Sequence, residues 1–168
     1  MTTIRTASVD KDGKVTPVTV EVEIKKEGVG IHLVGLADAA VKETLLRTVT
    51  ALQAKGFHFP GKKIVINLAP TDKTKNGSGY DLPIALGILA ESGQIDLRAE
   101  AIKAIVYGQL DLMGNIRATG KEGDIARYIA QGGKGVLITS CFACKTPNIN
   151  CSLVGFSELG MLSLFVSK

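Results

Sequence analysis

Apolar and polar residues alternate through Val18, Val20, Val22 and Ile24, after Val15, and again through Val29, Ile31 and Leu33 beyond Gly28. A period of two marks strands with one buried face, so the first thirty-five residues read as three strands joined by tight turns. From Asp38 the period lengthens. Val41, Leu45, Val49 and Leu52 share one face of a helix, Glu43 and Arg47 pair on its outside, Asp38 caps its start and Gly56 ends it. Lys63-Ile-Val-Ile-Asn-Leu-Ala69 is a short apolar run closed by Pro70, the pattern of an inner strand.

A polar loop, Thr71 to Tyr80, leads into Asp81-Leu-Pro-Ile-Ala-Leu-Gly-Ile-Leu-Ala90. Asp81 reads as a cap, and Pro83 is tolerated in a first helical turn. This helix is apolar nearly all round, so protein must enclose it, and Gly87 leaves room for a neighbouring backbone. A strand from Ala104 to Leu112 turns at Met113-Gly114-Asn115 into a shorter one. A helix from Asp124 to Gln131 stops at Gly132-Gly133, and Val136 to Thr139 returns to the sheet. Ser152 to Phe156 reads as a last strand, with a final helix opening at Ser157. Strands first, then strands mixed with helices, indicate an α+β fold whose mixed sheet carries its helices mainly on one face.

Composition narrows the class. A chain of 168 residues, 45% hydrophobic and 21% charged, has enough apolar material for one folded domain over 1–168 and is not disordered. The longest apolar run, Leu82 to Ala90, is about half of what a membrane helix requires. The opening residues lack an apolar stretch followed by a small-residue cleavage site, and the three cysteines are too few and odd in number for a disulfide framework. Together these point to the cytoplasm. The formal charge of +4 is local in origin, because Lys55, Lys62, Lys63, Lys73 and Lys75 face only Asp72 between positions 55 and 75.

Most ligand chemistry is excluded by spacing. No G-x-x-x-x-G-K-[ST] occurs, and the fragments Gly61-Lys62-Lys63 and Gly120-Lys121-Glu122 lack both the upstream glycine and the hydroxyl for magnesium. Gly77-Ser78-Gly79 precedes a helix, but Leu82 stands where a dinucleotide fingerprint has its third glycine. Cys141 and Cys144, with Cys151 beyond, offer thiolates for a metal, yet His32 and His58 lie too far away in sequence to complete the set. The cysteines read better as small buried hydrophobes.

One set of motifs is specific. The stretch Val34-Gly-Leu-Ala-Asp-Ala-Ala-Val-Lys-Glu43 resembles the amino-terminal domain of Mg-chelatase-like AAA+ proteins of the ComM or YifB type. So do Ala51-Leu-Gln53, Gly56-Phe57, Asn67-Leu-Ala-Pro70, Asp81 to Ala90 and Gly108 to Leu112 with Gly114. The resemblance covers nearly the whole chain, weakening after Ser140. It implies a ribosomal protein S5 domain 2-like fold, shared with the Lon protease domain, and a module that precedes an AAA+ motor lying outside these residues. ATP and magnesium belong to that motor, so no cofactor is expected in this chain. The implied partners are the motor, further copies in a ring, and DNA, with no membrane; ComM-type members are implicated in DNA branch migration during transformation.

Lon-type hydrolysis uses a serine at the entrance of the core helix and a lysine as base. Matched to that pattern, Gly79 occupies the serine position and Ile125 the lysine position, and neither can carry a proton. The resemblance thus implies a non-catalytic scaffold. A Lon-like serine peptidase with a shifted dyad, Ser78 and Lys121, is the second reading, although a one-residue slip turns a helical side chain by about 100°. A pure assembly domain is the third. The basic segment, combined with the family's DNA role, makes Lys62, Lys63, Lys73 and Lys75 the expected nucleic-acid contacts. Aromatics for base stacking are scarce, with Phe57, Phe59 and Tyr80 the nearby candidates, so such binding is expected to be weak and salt-dependent.

Overall fold

A computed structural model describes residues 1–35, 38–71, 75, 77–133, 135–140 and 151–159. The alternating amino-terminal segments form β1 (Thr2–Val9) and β2 (Val15–Lys25), an antiparallel hairpin. The third segment, β3 (Gly30–Val34), does not continue that hairpin. It pairs in parallel with β4 (Lys63–Ala69), which is inserted between β3 and β2 and is the inner strand its apolar run predicts. β5 (Ile105–Val106), β8 (Gly135–Ser140) and β9 (Cys151–Phe156) extend the sheet in parallel on the far side of β1, in the order β3-β4-β2-β1-β5-β8-β9. The sheet is mixed and the fold is α+β, consistent with the expected S5-like, Lon-like architecture.

The helix α1 (Ala39–Ala54) starts as expected, with the Asp38 carboxylate accepting the Val41 N–H at 2.8 Å, and it stops at Gly56, whose φ of +77° suits glycine. Its buried stripe is Val41, Thr44, Thr48, Ala51 and Leu52; Leu45 lies on the flank. The apolar α2 (Asp81–Glu91) lies across β1 and β2 and is buried from Asp81 to Leu89. Gly87 serves a side chain here, not a backbone: a Cβ at this position would lie 2.7 Å from Val22 Cγ2 of β2. The segment read as a strand from Ala104 to Leu112 is broken. A short helix α3 (Ala99–Lys103) precedes β5, and Gly108 separates β5 from β6 (Gln109–Leu110), which turns through Gly114 into β7 (Ile116–Arg117).

Strand alternation sends successive residues to opposite faces, and two apolar clusters follow from it. Ile4, Val20, Val22, Ile64, Val106 and Ile138 face α1, α2 and α3, while Ala7, Val9, Ile105 and Leu137 face α4 (Glu122–Gln131) through Ile125, Ala126 and Ile129. Three helices therefore share one face, and on the other α4 packs against β8 and β9 and reaches β1 and the start of β2 at Val15. Beyond β9, Glu158 bridges to Asn115; the remainder of the expected final helix, like Cys141 and Cys144, falls outside the described residues. Among the described residues, no helix is long and apolar enough to cross a membrane.

Gly87→Ala is expected to lower stability by about 1–3 kcal/mol, because the added methyl would overlap Val22, which is buried and, being branched at Cβ, stiff about χ1. In urea denaturation this reads as a lower midpoint at unchanged slope.

Candidate functional site

Asp81 opens α2, yet its side chain does not cap the helix. It is 0% exposed and takes a bidentate pair of bonds from Arg47 of α1, Nε to Oδ2 at 2.9 Å and Nη2 to Oδ1 at 3.1 Å. Oδ2 also accepts the Leu110 N–H of β6 at 2.9 Å. Burial pushes the Asp81 carboxyl upward in pKa, and the Arg47 and Leu110 bonds work against that shift. The outside pairing expected for Glu43 and Arg47 is correspondingly loose, 3.7 Å, because the guanidinium has turned inward. Three elements meet at one carboxylate.

That junction fixes the entrance of α2, where the Lon-type nucleophile position falls. Gly79 O accepts the Gly108 N–H and Gly108 O accepts the Leu82 N–H, both at 3.0 Å, so the loop before α2 is stitched to the strand break at Gly108. A Cβ on Gly79 would lie 1.9 Å from Cε2 of Tyr107, so the ring fills the space a serine side chain needs. The Tyr107 hydroxyl accepts from Thr119 Oγ1 at 3.2 Å, and burial raises its pKa. Ile125, at the amine position, is fully buried among Ala7, Val9, Tyr107 and Leu137. Ser78 is half-buried, its hydroxyl 3.5 Å from Gln109 Oε1, and Lys121 stands at the start of α4 with its N–H on Thr119 Oγ1 at 3.1 Å. Among the described residues no hydrogen bond joins Ser78 to Lys121.

The expected nucleic-acid contacts are distributed differently from the chain order. Lys75 is 1% exposed, with its ammonium donating to the Pro70 carbonyl, so it is withdrawn from the surface; its own carbonyl accepts the Asp38 N–H at 3.3 Å and ties the loop to α1. Lys73 lies outside the described residues. Lys62 is exposed and Lys63 half-buried at the beginning of β4. The sheet register sets Lys25, at the end of β2, directly opposite Lys63, with exposed Lys26 following. Lys25 and Lys26 went unnoticed in the sequence because they precede Lys62 by almost the whole β3–α1 segment, and only pairing brings them together. Like charges facing across strands are unfavourable, and Glu23, 2.7 Å from Lys25 Nζ, offsets part of that cost. Beside Lys62 lies an open concavity of about 430 Å³ lined by Ile24, His58, Gly61, Glu91 and Gln94.

A family model described as subunit ChlI of Mg-chelatase matches residues 20–140. The chain is 38% identical over 125 residues to the uncharacterized protein YifB of Salmonella typhimurium, covering 74% of this chain and 24% of that protein. Against YifB of Escherichia coli it is 38% identical over 122 residues, 73% of this chain and 24% of the relative. Against the competence protein ComM of Haemophilus influenzae it is 44% identical over 101 residues, 60% of this chain and 19% of the relative. The chain belongs to the Mg-chelatase-like family of the ComM and YifB type. It spans about a quarter of the length of the first two relatives. The match to the ChlI family runs from β2 to β8 and so contains the Arg47–Asp81 junction, the Gly79–Tyr107 contact and Lys62 with Lys63.

Of the glycine–lysine fragments noted in the sequence, Gly61-Lys62-Lys63 leads into a strand, and at Gly120-Lys121-Glu122 the N–H groups of Thr119 and Gly120 already donate to the Glu122 carboxylate. A phosphate would meet a negative charge there. No cluster of three metal-ligating side chains occurs among the described residues.

Asp81→Ala is expected to cost about 3 kcal/mol, because it leaves the partly buried Arg47 guanidinium and the Leu110 N–H without their acceptor. Adding Arg47→Met should restore part of that loss, and a double-mutant cycle in urea measures the coupling.

Proposed function

We propose that this chain is a non-catalytic, Lon-like module of a Mg-chelatase-like AAA+ ATPase that processes DNA in the cytoplasm, where it helps assemble the motor's ring and contacts DNA weakly. Family membership supports the coarser reading, an AAA+ Mg-chelatase-like protein. The observation that carries the absence of catalysis is the packing of the Tyr107 ring in the space of a side chain at position 79, with Ile125 where an amine is needed. Hydrolysis requires a nucleophile and a base within hydrogen-bond reach, and a buried aromatic ring and an aliphatic side chain offer neither.

DNA contact is assigned to Lys62 and Lys63, joined by Lys25 and Lys26 across the sheet. Such a patch recognises the phosphate backbone without reading bases, and each neutralised phosphate adds close to one unit to the salt slope. Titration of a fluorescent duplex by anisotropy should show binding on the order of 10–100 µM at low salt that fades by 200 mM. Lys62→Ala with Lys63→Ala should flatten the salt slope by about 2. Absence of salt-sensitive binding at high protein concentration would remove DNA from the proposal.

The peptidase reading is tested separately. Casein incubated with the chain should remain intact, and any trace cleavage should be unchanged by Ser78→Ala. Cleavage that this substitution abolishes would replace the scaffold with an enzyme.

A further inference from the structure

β3 is an edge strand, and it lacks the usual protections of an edge. Its five residues, Gly-Ile-His-Leu-Val, contain no lysine, proline or bulge, and no described strand pairs with its outer side. Natural sheets blunt such edges because unpaired N–H and C=O groups recruit another chain. Two of the large apolar side chains exposed on this molecule lie at its ends, Val29 just before it at 74% and Val34, its last residue, at 47% exposure. Ile31 and Leu33, on its inner side, are only half-buried at the margin of the core.

From this edge we infer that two copies of the chain pair antiparallel through β3, about a two-fold axis at His32. The segment is complementary to itself when reversed. With His32 opposite His32 of the second copy, Val29 falls opposite Gly35, Gly30 opposite Val34, and Ile31 opposite Leu33. Each exposed valine thus meets a glycine. On Gly30, a Cβ would find nothing nearer than His32 Nε2 at 3.8 Å, so there is open space for the incoming Val34. At Gly35, by contrast, a Cβ would lie 2.8 Å from the Leu68 carbonyl oxygen, and Val29 packs at the margin of the seam. The Ile31–Leu33 pairs extend the core across the seam and cover apolar area left wet in one copy.

Charge selects the same orientation. Lys63 is paired with Gly30, and Lys25, Lys26 and Lys62 lie at that end of the sheet. Antiparallel pairing sends the two basic ends in opposite directions, whereas parallel pairing would stack them. A seam of seven residues falls short of the roughly 1,200 Å² of a stable interface, so the association is weak, with a dissociation constant on the order of 100 µM. It joins copies in pairs and does not propagate, which separates it from any ring contact.

Sedimentation equilibrium of the full chain over a concentration series should show the weight-average mass rising from 17.7 kDa toward twice that value. His32→Lys, a surface change that sets two ammonium groups opposite each other, should hold the mass at the monomer value. Leu46→Lys, at another exposed apolar site on α1, should leave the association unchanged. His32→Cys should cross-link under mild oxidation beyond the level of the native cysteines, since residues opposed on a dyad bring Cα atoms within disulfide range. A monomer at every concentration overturns the proposal. So does association that survives His32→Lys and yields no cross-link through position 32.

Discussion

The buried Asp81 carboxylate is the constraint around which the entrance of α2 is arranged. It sits at the first turn of the most deeply enclosed helix and draws its partners from a second helix and from a strand. A charge so placed must be neutralised in place, so Arg47 cannot swing to solvent and β6 cannot drift from α2. Everything at the helix entrance inherits this geometry. The Gly79–Gly108 stitch and the seat of Tyr107 are consequences of it.

At the entrance of α2 the Tyr107 ring fills the space of a side chain at position 79, and Ile125 is fully buried, so this region is occupied by packing. At the periphery, cationic side chains gather at one end of the sheet and β3 forms its edge.

Local signals in the chain were legible. The Asp38 cap, the Gly56 stop, the enclosed helix from Asp81 and the inner strand from Lys63 to Ala69 are each written in neighbouring residues, and each appears as read. The rest depended on distance in sequence. Arg47 looked like the partner of Glu43, four positions away, but its acceptor is thirty-four positions away, and no periodicity reports that. Lys75 has the surroundings of a solvent loop, Gly and Ser among polar neighbours, and only the fold reveals that its ammonium turns back to a carbonyl. Gly108 hid the break between β5 and β6, because a glycine within an apolar run does not announce whether it marks a bulge, a bend or an end. The meeting of Lys25 with Lys63 is a matter of register, which is set by long-range pairing.

The partial cover provided by α4 makes rigidity uneven. β1, β5 and β8 are enclosed from both sides, as is the start of β2 where Val15 meets the α4 cluster, while β3 and β4 pack against helices on one side. Amide protons in the enclosed strands can exchange with solvent only when the whole molecule opens; those of the outermost strand need only a local fraying. The sheet therefore carries a gradient of protection that rises from the β3 margin inward.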